Sequence, residues 1–233
     1  MVGAAICPPA PLLARELTGL DPVLPELRRA CAAAAGRLVL SGPDVIAVVG
    51  PARRTAAWPA DGRLGLGAFA PALSCGRATV RGTGPPLPLS LGLGIRLLDE
   101  AGYRGQRLLR SVSPDEPAAA CLQLGADLGR LGGRVGLLVM ADGSACRGVR
   151  APGYLDPRAA GFDAALERAV RGGDLSALRV MEAGLAGELL AAGRAAWQVL
   201  AGAMPGRATP AEVFYSDAPF GVFYLVAWLT RSP

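Results

Sequence analysis

Short apolar runs separated by segments of helical periodicity constrain the fold of this chain more than any other feature. They fall at residues 2–6 (ending at Cys7), 44–50 (DVIAVVG) and 135–140 (VGLLVM), with a strand-like but more polar run at 106–112 (QRLLRSV). DVIAVVG is almost continuously apolar, the pattern of a parallel strand covered on both faces. Residues 22–40 carry Leu24, Leu27, Ala30, Cys31, Ala34 and Leu38 at helical spacing. Asp21 is placed to cap that helix, with Pro22 at its first position.

The stretch 51–88 is irregular, with one or two short strands expected around 78–81. Further helices are expected at 90–101 and at 114–131, the latter capped by Ser113 or Asp115. Four more are expected at 157–170, 175–181, 183–190 and 195–204. Two closing strands, 211–215 and 222–229, flank the turn SDAPFG, where Asp217 reads as a hairpin residue. This alternation predicts an α/β sandwich, one domain over residues 1–233, with a largely parallel central sheet flanked by helices and some antiparallel pairing at its end.

Composition bounds the chemistry. The chain has 233 residues, 52% hydrophobic and 18% charged, enough to bury a core. It has no histidine, lysine or asparagine, so all 24 cations are arginine. Together with abundant Ala, Gly, Arg and Pro, this bias points to a GC-rich coding sequence. A net charge of +5 carried by such a default cation is no argument for nucleic-acid binding. The five cysteines include no CxxC pair, and read neither as a disulfide framework nor as a zinc site. No signal peptide is read at the N-terminus, and no apolar run approaches the ~18 residues of a membrane span. A cytoplasmic location is expected.

Without histidine or lysine, Ser-His, Cys-His and Ser-Lys nucleophiles and the lysine-bearing phosphate loop are excluded. The Gly-Leu-Gly runs 65–67 and 92–94 do not sit between a strand and a helix, as a dinucleotide fingerprint requires. Three loops remain at the carboxyl ends of expected strands, where α/β sheets bind ligands. They are Cys7-Pro-Pro-Ala-Pro-Leu-Leu13 with Pro9, Gly50-Pro-Ala-Arg-Arg54 with Arg53 and Arg54, and the DGSACR loop with Asp142, Ser144, Ala145 and Cys146. Asp142 reads as a site carboxylate or as an Asx-turn or helix cap. Arg147 beside Cys146 could lower its thiol pKa, but the preferred reading is an ordinary semi-buried thiol. Tyr154 lies downstream of the same loop. A fourth segment, AAGRAAWQVL, opens a helix and carries Ala192 and Arg194.

At CPPAPLL, DVIAVVGPARR, VMADGSACR with APGYLDPRAAGFD, AAGRAAWQVLAGA and SDAPFGVFYLVAW the chain resembles the class III extradiol ring-cleavage dioxygenase superfamily. The likeness is to divergent relatives of the family's catalytic subunit and to Memo-like proteins. It runs over nearly the whole chain and implies an α/β sandwich. The family's dioxygenases hold ferrous iron with two histidines and a carboxylate, and a further histidine acts as acid–base. Carried over by position, the first iron histidine falls on Pro9, the paired histidines of the stretch that holds the second fall on Arg53 and Arg54, and the acid–base histidine falls on Ala145. A cysteine of Memo-like relatives falls on Ala192. No residue is assigned to the carboxylate.

The resemblance therefore implies a dioxygenase-like protein without its iron site. Such a protein would have no cofactor and no ring-cleaving activity, and would serve as a small-molecule-binding or scaffold protein. The alternative is an enzyme with a repurposed cleft, in which Arg53 and Arg54 hold an anionic substrate beside Asp142, Ser144, Cys146 and Tyr154. Expected partners are a small anionic ligand and, as in the family, a second copy or a partner subunit, with neither nucleic acid nor membrane.

Overall fold

A computed structural model describes residues 1–19, 23–70 and 84–231, and in it the apolar runs become the strands of one sheet. Strands β1 (Gly3–Cys7), β2 (Val45–Pro51), β6 (Gln106–Val112) and β7 (Val135–Met140) pair in parallel in the order β6-β2-β7-β1. A short antiparallel strand, β3 (Ala56–Trp58), extends the β6 edge. The closing hairpin β8 (Glu212–Asp217) and β9 (Tyr224–Leu229) adds antiparallel strands beside β1. The result is a seven-stranded mixed sheet, and β4 (Arg63–Leu64) with β5 (Pro86–Leu87) form a separate two-stranded pair.

Alternation along each strand builds two cores. Ala4, Ile6, Ala47, Val49, Leu137 and Val139 point to one face. Ala5, Cys7, Ile46, Val48, Leu138 and Met140 point to the other. All are buried, which is why these runs are continuously apolar. The second face is covered by α2 (Pro25–Leu40) and α3 (Leu89–Glu100). The first is covered by α4 (Ala118–Gly129), α5 (Pro157–Gly172) and α8 (Arg194–Ala203), with the short helices α6 (Ser176–Arg179) and α7 (Ala183–Glu188) between the last two. A single turn, α1 (Arg15–Thr18), follows a 3-10 turn at Pro11–Leu13.

Every residue of α8 is buried, because α4 lies directly against it. A Cβ on Gly125 would meet the Val199 carbonyl at 2.1 Å, and one on Gly202 the Leu122 carbonyl at 2.2 Å. The expected Gly-Leu-Gly run of α3 has the same use: a Cβ on Gly94 would strike Val48 at 2.5 Å.

Two helix starts differ from expectation. The helix expected at residue 22 begins at Pro25, preceded by Leu24 at φ 54°. A proline inside the helix would lose a bond and clash with the preceding turn, so the second proline sets the start. Asp21 and Pro22 lie outside the described residues, as do the strands expected around 78–81. The helix expected at 114 begins at Ala118, with neither Ser113 nor Asp115 as cap. Pro117 disfavours helical geometry at Glu116. The SPDEP stretch instead makes a turn, in which the Glu116 amide donates to the Ser113 carbonyl at 3.0 Å. Among the described residues no helix is long and apolar enough to cross a membrane.

Candidate functional site

Four parallel strands place their carboxyl ends along one edge of the sheet, and the loops leaving them line a shallow, open cleft of about 370 Å³. The β1 loop contributes Pro9 and Pro11, the β2 loop Pro51, Ala52 and Arg53, the β6 loop Pro114, and the β7 loop Asp142. Ala192 before α8, Leu89 and Ser90 at the start of α3, and Phe69 complete the wall. Residues far apart in sequence meet here because the strands that carry them run the same way.

Each loop is tied down. The Ala52 amide donates to the Val112 carbonyl at 3.0 Å. Ser111 is the hub of a short chain, its hydroxyl donating to the Arg54 carbonyl at 2.7 Å and accepting from the Trp58 indole at 2.7 Å. Ser90 donates to the Pro51 carbonyl at 2.8 Å. These bonds fix the backbone on either side of Arg53, whose exposed side chain has no carboxylate within 4.0 Å among the described residues. Arg54 turns aside and lies over the Trp58 ring, 5.4 Å from its centroid.

Asp142 is the one carboxylate among the residues lining the cleft. Its Oδ1 accepts from the Gly193 amide at 2.9 Å, and its carbonyl accepts from the Trp197 indole at 2.8 Å. It is therefore neither an Asx-turn nor the cap of its own loop, but meets the N-terminus of α8 from outside, where free amides favour an anion. Burial nevertheless dominates and pushes its carboxyl up to about 6, against the lowering effect of the Gly193 amide; the nearby Asp163 adds to the rise. Tyr224, packed close by, is pushed up to about 12 by burial and then by Asp142. Gly193 makes the contact feasible, since a Cβ there would lie 2.4 Å from the Asp142 carbonyl.

The rest of the DGSACR loop faces away from the cleft. Ser144 is fully buried and gives both its amide (2.8 Å) and its hydroxyl (2.6 Å) to Asp163 of α5. Arg147 adds a third donor to Asp163 at 3.0 Å. Ala145 is buried, and its amide donates to the Leu189 carbonyl at 2.9 Å. Cys146 is 1% exposed, and burial, then Asp156 and Asp163, push its thiol up. The Arg147 guanidinium is directed to Asp163 rather than to the thiol, which leaves Cys146 an ordinary buried thiol.

Tyr154 is exposed, at φ 60°, and does not line the cleft. Arg194 is buried, donating to Gln198 Oε1 at 2.6 Å and to the carbonyls of Pro114 and Glu116, so it straps the β6 loop to α8. The structure thus brings Pro9, Arg53, Asp142 and Ala192 to one cleft and keeps Arg54, Ser144, Ala145, Cys146, Tyr154 and Arg194 off its wall. Sequence reasoning missed Asp163, the anchor of the loop. Its signal was a lone carboxylate on the apolar face of a helix, beside Ala159 and Leu166.

Fold and cleft define an α/β protein with an open cleft at the carboxyl ends of the four parallel strands of a mixed sheet. No protein-family model matches the chain. No curated protein matches it either. Among solved structures it is similar to the uncharacterized protein JW3007 from Escherichia coli K12. That likeness has a TM-score of 0.57 and 16% identity, and covers 99% of this chain and 100% of the other. At that identity the likeness speaks for the fold alone.

Proposed function

We propose that this chain is a divergent class III extradiol dioxygenase-like protein whose cleft binds a small anionic molecule without histidine-held iron. One observation carries the reading. Pro9, Arg53 and Ala192, three of the positions that the resemblance marks as functional, line a single cleft together with Asp142. Arg53 supplies a charged fork for a carboxylate or phosphate, and Phe69, Leu89 and the prolines supply an apolar wall for the rest of the molecule.

The donor set does not fit the family's iron. Ferrous iron of this kind needs two imidazoles and a carboxylate on one face. The cleft offers a single carboxylate, already held by Gly193, and a guanidinium that repels a cation by ~1 kcal/mol or more at contact even in water-like screening. Among the described residues no group of three or more His, Cys, Asp or Glu side chains is gathered anywhere.

Thermal-shift titration with a panel of aromatic and aliphatic carboxylates and phosphates tests the binding reading. At least one ligand raises Tm in a saturable way, and Arg53→Ala removes the effect without changing the unliganded Tm. A panel with no shift would sink the binding role. Stoichiometric iron retained after anaerobic loading, together with catechol cleavage, would sink the loss of the metal site.

A second reading, an enzyme using the same cleft, draws on Asp142. A carboxyl pushed to about 6 and open to the cleft exchanges protons near neutrality, as a general acid or base must. Because Ser144 and Cys146 face away, this reading rests on Arg53 and Asp142 alone. It expects Asp142→Asn to abolish turnover of a bound ligand while leaving its affinity intact.

A further inference from the structure

A second pocket, of about 200 Å³, lies between the Pro11–Leu13 turn, α2 and α3, away from the sheet edge. Four guanidinium groups border it: Arg15, Arg28, Arg29 and Arg96. Arg96 is satisfied by a bidentate pair with Glu16, at 2.8 and 2.6 Å. Arg29 reaches only Glu26, at 3.9 Å and largely in solvent. Arg15 and Arg28 have no carboxylate within 4.0 Å among the described residues.

Arg28 is half-buried and, among the described residues, bonds to neutral acceptors. It donates to the Leu13 carbonyl at 2.7 Å, to the Leu12 carbonyl, to the Val23 carbonyl at 3.2 Å and to the Thr18 hydroxyl at 3.2 Å. Burial, then the Arg15 guanidinium, lower its pKa. Glu100 is the one carboxylate on the pocket wall. A half-buried cation crowded by like charge gains more from an oxyanion than a solvated one does. The remaining wall, Leu13, Leu93 and Leu97, is apolar.

We propose that this pocket binds a small organic phosphate, its phosphoryl oxygens held by the exposed Arg15 and Arg29 and by the one Arg28 N–H that its four intramolecular bonds leave free, and its short carbon body against Leu13, Leu93 and Leu97. Three guanidiniums around one pocket match the three terminal oxygens of a phosphate monoester better than the two of a carboxylate. The site is separate from the sheet-edge cleft and independent of the role proposed for that cleft. The two share a wall, because Pro11 lines the cleft while the Leu12 and Leu13 carbonyls hold Arg28.

Calorimetric titration of the full chain with glycerol phosphate and with inorganic phosphate, at constant ionic strength set by chloride, tests the assignment. Glycerol phosphate binds saturably and more tightly than inorganic phosphate. Arg28→Ala also removes the bonds that hold Leu12 and Leu13, so the exposed Arg15 is the informative position. Arg15→Ala weakens binding about tenfold, the effect of one charge-assisted hydrogen bond, with an unchanged circular-dichroism melt. Arg53→Ala leaves this binding intact. Absent binding, equal affinity in Arg15→Ala, or loss in Arg53→Ala instead would each overturn the site. Inorganic phosphate binding as tightly as the ester would overturn the organic-phosphate assignment.

Discussion

Asp142→Asn is the most informative single change, because its effect on stability depends on pH with a sign the structure dictates. The folded-state carboxyl is pushed up to about 6, from 3.8, chiefly by burial. Between those values the folded protein holds a proton that the unfolded chain has released, so stability falls as pH rises through this window. Each unit is worth about 1.4 kcal/mol, so the shift of about two units makes ionised Asp142 cost about 3 kcal/mol, an upper figure because water in the cleft reaches the carboxylate. Asparagine keeps the acceptor for the Gly193 amide and cannot ionise. Urea unfolding of both proteins at half-unit steps from pH 3.5 to 8 isolates the effect, since titrating groups not coupled to Asp142 cancel in the difference. The variant should gain on the native protein by about 2–3 kcal/mol between pH 4 and 7, then plateau. A difference that stays flat across that range, or grows as pH falls, refutes the assignment of a buried carboxyl with raised pKa.

Two further substitutions probe the supports of the cleft. Gly193→Ala forces a Cβ to within 2.4 Å of the Asp142 carbonyl, backbone that cannot swing aside. It should cost about 1–3 kcal/mol in urea unfolding and weaken cleft binding together with stability. Asp163→Ala leaves the Ser144 amide and hydroxyl buried without a partner and Arg147 without its carboxylate. A loss of about 3–5 kcal/mol is expected by the same assay, and a loss under 1 kcal/mol would refute its anchoring role.

The sheet was legible because burial on both faces writes itself into sequence. The centre of a strand packed between two helical layers carries no charge in β2 or β7, so 135–140 is found at its observed limits and 44–50 within one residue. Helix starts were less legible where two prolines compete, as at Pro22 and Pro25 or Pro114 and Pro117, since either satisfies the local rule. Of the site, the loops were legible and the directions of their side chains were not. Asp142, Ser144 and Cys146 alternate along one short loop, yet only the first lines the cleft. The others turn toward α5 and the Leu189 carbonyl, which are 19 and 43 residues further on.

Composition alone decided that no histidine chemistry is open to this chain, because no fold can supply a side chain the sequence lacks. The apolar runs likewise determined the parallel centre of an α/β sheet, because strand burial depends on residues a few positions apart. Only the tertiary structure decided that Arg53 faces the cleft while Arg54 lies over Trp58, and that a helix N-terminus 51 residues downstream meets Asp142. Those outcomes depend on which distant backbone groups arrive beside a loop, and this is set by packing of the whole sheet edge rather than by any local pattern.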